Sequence, residues 1–265
     1  MNNKADNINT INENSCDCFT TVENESDYKN SSQIVKHSEG CIICSADIIY
    51  EKQNTNKTCY LCSNVFSASS MCRNSHYVCD TCHSEGSLAY VKNLLTKTGI
   101  TDMINLMNIV RSLPMFNIHG PEHHSATAGV IAAVYKNSGG KISNDDILTA
   151  IDRSSAIPGG VCAYWGSCGA VLGAGAAFSV IMDSSPLKPN QRQKIQKIIT
   201  ELSQVTSNLR AARCCQREVW LTLQKVSELS KIHLDIELSA KGKVECYQVE
   251  ENSECIHQAC SFYTG

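Results

Sequence analysis

The sequence predicts a mostly α protein in which a helical domain is preceded by a small cysteine-rich module, and three observations lead there. The chain has 16 cysteines in 265 residues, and Cys-x2-Cys pairs recur within one short segment. After about residue 90 the apolar residues fall at helical rather than alternating spacing. Proline and glycine then divide that pattern into stretches of helix length. The chain is long enough for one or two domains with a sizeable core. A net charge of only -3 argues against a nucleic-acid partner, which calls for a basic excess.

Cysteine chemistry depends on compartment. The opening MNNKADNINTINENS contains no apolar stretch of the kind that directs export. The longest apolar run, Gly169 to Met182, is too short to span a bilayer and is rich in Gly and Ala. The expectation is therefore a cytoplasmic protein with no membrane contact. Its thiols stay reduced there, and clustered cysteines are then metal ligands or reactive groups rather than disulfides.

Taken in order, residues 1–38 are Asn-, Ser- and Glu-rich and predict a disordered tail, with Cys16 and Cys18 as incidental thiols. Residues 39–87 form the module. Its pairs are Cys41-x2-Cys44 and Cys59-x2-Cys62, followed by Cys72-x3-His76 and Cys79-x2-Cys82, with His83 as a spare ligand or turn cap. Zinc takes four Cys or His ligands in a tetrahedron, so eight ligands in four pairs predict two structural sites. Sequential pairing would make a ribbon-like fold. Interleaved pairing would make a cross-brace, with Cys41, Cys44, Cys72 and His76 on one ion and Cys59, Cys62, Cys79 and Cys82 on the other. Spacing alone allows both.

Residues 88–240 predict the helical domain. Helices are expected over Leu88–Thr96 and Thr101–Leu113, the second with Met103, Leu106, Met107 and Val110 on one apolar side. Pro121 suits the first position of a helix running to Lys136. Ser143 can cap Asn144–Ser154. Further helices are expected over Ser167–Met182, Pro189–Leu209 and Arg213–Lys231. Residues 241–265 form a terminal segment in which Cys246, Cys255 and Cys260 are too irregularly spaced to be a strong metal signal.

Three stretches of this domain carry chemistry. His119-Gly120-Pro121-Glu122-His123-His124 crowds three imidazoles and a carboxylate at a helix start, a setting for metal binding or proton transfer. Two thiols, Cys162 and Cys168, flank Tyr164 and Trp165 in a Gly-rich loop, although close packing of small residues explains Gly173 to Ala177 as well. Arg213-Cys214-Cys215-Gln216-Arg217 opens the last helix, and the neighbouring thiols diverge by about 100° around it. Three of Cys162, Cys168, Cys214 and Cys215 fall at or near expected helix starts, where the dipole lowers a thiol's pKa. Arg213 and Arg217 act likewise beside the last pair, so Cys162, Cys168 and one of Cys214 or Cys215 are expected to be functional thiolates. Four such thiols suffice for an iron–sulfur cluster, with His119, His123 or His124 available as a substitute ligand.

On these motifs the chain resembles an uncharacterised Cys/His-rich domain family of anaerobic bacteria and methanogenic archaea. The resemblance runs from Cys41 to Tyr263 and includes His76-Tyr-Val-Cys79-Asp80-x-Cys82-His83, His119 to His124, and Gly159-Gly-x-Cys162-x2-Trp165-Gly-x-Cys168-Gly-Ala. It continues through Arg213-Cys214-Cys215-x-Arg217 and Cys255-x4-Cys260-x-Phe262. Ala163 stands where relatives have Gly, and Ser261 where they have Pro; neither removes a ligand. Related domains are often attached to or found beside radical-SAM or methyltransferase proteins, and this implies such a partner. The segment from Cys168 to Gly173 also looks like a motif of helical redox-associated cysteine proteins. The combined expectation is a metalloprotein with structural zinc and a second, redox-metal site supporting electron, sulfur or one-carbon transfer. The rival is a non-enzymatic adaptor that docks through its zinc module.

Overall fold

The computed structural model describes residues 40–113 and 116–263, with the side chain of Glu85 left aside. The expected tail, with Cys16 and Cys18, lies outside the described residues. About half of the chain is helical, and the module contributes a small sheet. Strands β1 (Ile48–Thr58) and β2 (Val65–Cys72) form an antiparallel hairpin with Ile48 opposite Cys72 and Thr58 opposite Val65. Nothing in the sequence announces the hairpin, because its two faces are nearly equally polar and show no apolar alternation. β1 is largely exposed and β2 mostly half-buried, with only Lys57 and Cys72 buried, so the sheet has little apolar core of its own.

Helix α1 (Asp80–Lys97) starts on the last cysteine pair and runs without a break into the helical domain. It begins earlier than Leu88 because Asp80 favours a helix N-terminus and no proline or glycine interrupts before Gly86. Helix α2 (Met103–Arg111) buries Met103, Leu106, Met107 and Val110. Its N-cap, Asp102, accepts from the amides of Ile104 (2.9 Å) and Asn105 (3.0 Å).

Helix α3 (Glu122–Asn137) is buried from Glu122 through Tyr135 and is the central rod of the bundle. A helix apolar or small on all sides belongs in a core. Helix α4 (Asn144–Ser155) opens with a capping box between Ser143 and Asp146. A four-residue turn of helix, α5 (Val161–Tyr164), follows Gly160, whose φ of +79° suits glycine. Helix α6 (Gly169–Ile181) packs directly on α3, where a Cβ on Gly173 would sit 2.3 Å from the His124 carbonyl. Close packing thus accounts for this part of the Gly-rich stretch.

Helices α7 (Pro189–Ser207) and α8 (Cys215–His233) complete the bundle. The shared core includes Ile131, Ile151, Phe178 and Trp220. After α8 the described chain is irregular apart from a bridge of Ser239 to Asp102 and a short 3-10 turn (His257–Ala259). It is held back on the bundle by Asp102, which also accepts from the Ser239 hydroxyl (2.6 Å) and the Lys241 amide (2.7 Å). Among the described residues no helix is long and apolar enough to cross a membrane.

Candidate metal centres

The module's eight ligand residues gather in two interleaved sets. Cys41, Cys44, Cys72 and His76 form one, and Cys59, Cys62, Cys79 and Cys82 the other; within each set the ligand atoms lie within 4.8 Å of one another. The local backbone explains how. The turns after Cys41, Cys59 and Cys72 each return a serine amide to the cysteine carbonyl, from Ser45 (2.7 Å), Ser63 (2.9 Å) and Ser75 (2.8 Å). All three serines have positive φ, a conformation such a knuckle turn demands. The fourth pair sits where α1 begins, with Cys79 as its N-cap. The hairpin carries Cys72 back beside Cys44 and leaves Cys59 beside Cys79. That crossing decides between the two pairings the spacing allowed, in favour of the cross-brace.

The geometry suits one metal ion per set. Metal–sulfur bonds near 2.3 Å at tetrahedral angles separate sulfurs by about 3.8 Å. The Cys44–Cys72 and Cys62–Cys79 sulfur distances are 3.8 and 3.9 Å, and His76 Nδ1 lies 3.3 Å from the Cys44 sulfur. Amide N–H groups point at the sulfurs, from Ile43 to Cys41 (3.4 Å), His76 to Cys72 (3.2 Å) and Cys79 to Cys59 (3.3 Å). The Ala46 amide, with help from His76 and Asn74, pulls Cys44 down to about 6. In the other set, burial of Cys59 is outweighed by the Cys62, Cys79 and Leu61 amides, which bring it to about 6. Cys41, Cys79 and Cys82 are pushed up, first by burial and then by neighbouring thiols. Thiols this close ionise together only around a cation. Four protein ligands close each set and leave no open coordination position, the mark of a structural site.

The imidazoles of His119, His123 and His124 share a helix start but part company. His123 is buried, with Nε2 3.0 Å from the Asn117 carbonyl and Nδ1 3.2 Å from the Arg111 guanidinium. Nε2 therefore donates and Nδ1 accepts, which makes the ring neutral. Burial, reinforced by Arg111, holds its pKa well below the usual histidine value. His124 donates from Nδ1 to the Ile157 carbonyl (3.1 Å) while Nε2 lies against Gly169, so it ties the Gly-rich loop to α6. His119 turns to the C-terminal segment, with Nε2 2.8 Å from Glu254 Oε2 and 3.2 Å from Asn252 Oδ1. Glu122 is fully buried, accepts from the Asn117 amide (3.3 Å) and faces His83 Nδ1 at 3.4 Å. Among the described residues, only the two module sets bring three or more Cys, His, Asp or Glu ligand atoms within single-ion reach.

The cysteines of the helical domain also diverge. Cys168 is the N-cap of α6, and the Ala170 and Val171 amides face its sulfur. Cys215 receives the Gly120 amide and lies within electrostatic reach of Cys168. Both thiols are nonetheless pushed up to about 12, chiefly by burial. Cys214 is also raised by burial. The sequence led to the opposite expectation; desolvation outweighs helix dipoles and nearby arginines at these depths. Cys162 stays exposed beside Tyr164 and Trp165.

Cys214 turns away from Cys215 to meet the side-chain amides of Gln248 and Asn252, each 3.7 Å from its sulfur. It lines one cavity together with Cys246, Cys255 and Cys260. The irregular spacing of these last three gives only a weak metal signal. Arg111 leaves no mark in the sequence, because a lone arginine ending a helix has no distinctive pattern, and His83, expected as a spare ligand or turn cap, meets Glu122 instead.

Comparison with curated proteins finds no significant match, and comparison with solved structures finds none. A family profile matches residues 91–263. That span starts within α1 and takes in Arg111, the His119–His124 stretch, Cys214 and the three C-terminal cysteines, but none of the eight module ligands. Over those residues the chain belongs to a family of unknown function, DUF5714.

Proposed function

We propose that the protein is a zinc metalloprotein whose cross-braced module is a structural clamp and whose thiol-rich helical domain carries a redox-metal site. The interleaving of the two ligand sets carries this reading. Zinc suits a donor set of three thiolates with one imidazole, and equally one of four thiolates. Binding energy at such a closed site is folding energy. The module needs it, since its strands bury so little.

Clamping has a direction. The Arg213 guanidinium donates to the Tyr50 hydroxyl from β1, His83 meets buried Glu122, and Asp80 accepts from the Gly159 amide at 3.0 Å. Filling the module therefore positions the groups around Cys162, Cys168, Cys214 and Cys215, with His119, Glu122, His123 and His124 as candidate proton-handling neighbours. An iron–sulfur centre in this domain would support electron, sulfur or one-carbon transfer in a cytoplasmic setting. Its partner would be a radical-SAM or methyltransferase protein, a reading that rests on the family resemblance.

A second reading has its own observation. Tyr60, Leu61 and Val65 are exposed together at the tip of the hairpin, and such a patch favours an adaptor that docks through its module. Metal analysis of anaerobically purified full-length protein separates the two. The redox reading expects about two zinc per chain together with iron and a visible absorption band. Colourless protein with zinc alone favours the adaptor, and folded protein without zinc overturns the clamp.

A further inference from the structure

The last part of the chain holds a set of thiols outside the module, of which Cys246 also packs against the bundle core. Cys214 caps α8, and the irregular segment behind it brings Cys246, Cys255 and Cys260 to the same cavity, against the aromatic wall of Trp220 and Phe262. The cavity is partly open to solvent, and its enclosed part is small, about 20 Å³. We propose that Cys214, Cys246, Cys255 and Cys260 are the ligands of a four-iron iron–sulfur cluster seated in this cavity. The inference deepens the redox reading above and moves the centre away from Cys162, Cys168 and Cys215.

Three observations converge on a cluster. The first is spacing. Unlike the two module sets, these thiols are not all within 4.8 Å of one another. One tetrahedral ion needs that closeness; a cluster does not, because several metals and bridging sulfides lie between its ligands.

The second is the donor pattern around the sulfurs. Backbone N–H groups meet each of them, from Arg217 to Cys214, Gln248 to Cys246, His257 to Cys255 (3.4 Å) and Phe262 to Cys260 (3.5 Å). The His257 contact is held by a non-glycine residue at φ +45°, a strained conformation kept between two of the ligands. Cys214 adds the Gln248 and Asn252 side-chain amides. Such N–H···S contacts stabilise and tune cluster thiolates.

The third is charge. Arg111 is only 7% exposed, and its hydrogen bonds go to neutral His123 and to Gln248 Oε1 at 2.5 Å. Among the described residues it has no carboxylate ion pair. A buried cation without a counter-charge is costly. The acidic groups in electrostatic reach are Cys214, Cys215, Cys246 and the buried carboxylate of Glu122. A cluster with four thiolates carries net negative charge and would place a counter-charge beside Arg111, which makes no ion pair with Glu122. Gln248 binds both Arg111 and Cys214, which fixes the guanidinium beside the cavity.

The test is iron, acid-labile sulfide and zinc content of full-length protein purified or reconstituted anaerobically, with the electron paramagnetic resonance spectrum after dithionite. The expected result is about four iron and four sulfide per chain, on top of the zinc. Cys246→Ser and Cys255→Ser should lose most of the iron and sulfide while zinc and helical circular dichroism stay unchanged. Cys162→Ser and Cys168→Ser should keep them. Arg111→Met should keep the thiols but lower cluster retention severalfold. A third zinc in place of iron and sulfide would overturn the cluster. Iron lost with Cys162 or Cys168 and kept without Cys246 or Cys255 would overturn this placement yet leave the redox reading standing. No iron or sulfide in any preparation would overturn both.

Discussion

The cross-braced module and the helical bundle use the same residue type for opposite ends. In the module, cysteine sulfurs converge on two points and the strands around them bury only Lys57 and Cys72. In the bundle a large apolar core is complete without them, and Cys168 and Cys215 sit at its margin with thiols pushed up to about 12. One region is built around its ligands; the other is built first and then accommodates them. At Cys44 and Cys59 backbone amides outweigh desolvation, and at Cys168 and Cys215 desolvation outweighs the amides.

The strongest way to break this comparison is to remove metal. Chelation under native conditions should release on the order of 10 kcal/mol of folding free energy from the module and none from the bundle. Limited proteolysis should then cut between β1 and β2 while far-ultraviolet circular dichroism keeps its helical signal. A module that stays protease-resistant without metal would refute the division.

The converse experiment strikes the bundle. Phe178 is fully buried, so Phe178→Ala should cost about 3–5 kcal/mol in denaturant unfolding. Zinc stoichiometry should not move; a loss of zinc would mean that the two regions fold as one unit.

Gly173→Ala tests whether the Gly-rich stretch is packing. The new methyl would meet the His124 carbonyl, a backbone atom that cannot turn aside, and about 1–3 kcal/mol of destabilisation is expected. An unchanged unfolding midpoint would return that stretch to a functional role.

Asp102 sharpens the picture of how the C-terminal segment is held. Burial alone would raise its pKa, but the Ser239 hydroxyl and the Asn105, Lys241 and Gly242 amides lower it below the usual carboxylate value. A carboxylate depressed in the folded state stabilises fully above the unfolded value of about 4 and loses that contribution as pH falls through its native value. Asp102→Asn should therefore cost about 1–2 kcal/mol at neutral pH and flatten the acid limb of the stability curve. An acid limb identical to that of the parent protein would rule the contribution out. The smallest effect belongs to Ser143→Ala, which removes the capping box of α4 at about 1 kcal/mol and should leave metal content untouched.

Much of this was legible in the chain. Ligand pairs are local, so their spacing announces them. The stripe of Met103, Leu106, Met107 and Val110 and the Ser143 cap are equally local and appear where the pattern placed them. The pairing of the cysteine sets was not legible, because it depends on a polar hairpin with no apolar alternation. Nor was the fate of the three neighbouring histidines. Their directions are set by partners far along the chain, such as Glu254 for His119 and Ile157 for His124.

The sequence by itself determined that candidate metal-ligand pairs precede a helical bundle, since both signals repeat over a few residues and need no knowledge of distant contacts. Only the tertiary structure decided which ligands share a site, which thiols are driven neutral by burial, and that Cys214 faces Cys246, Cys255 and Cys260 across one cavity. The physical reason is the same in each case. Coordination, desolvation and charge depend on distance in space, and the turns that bring these residues together leave no periodic mark on the chain.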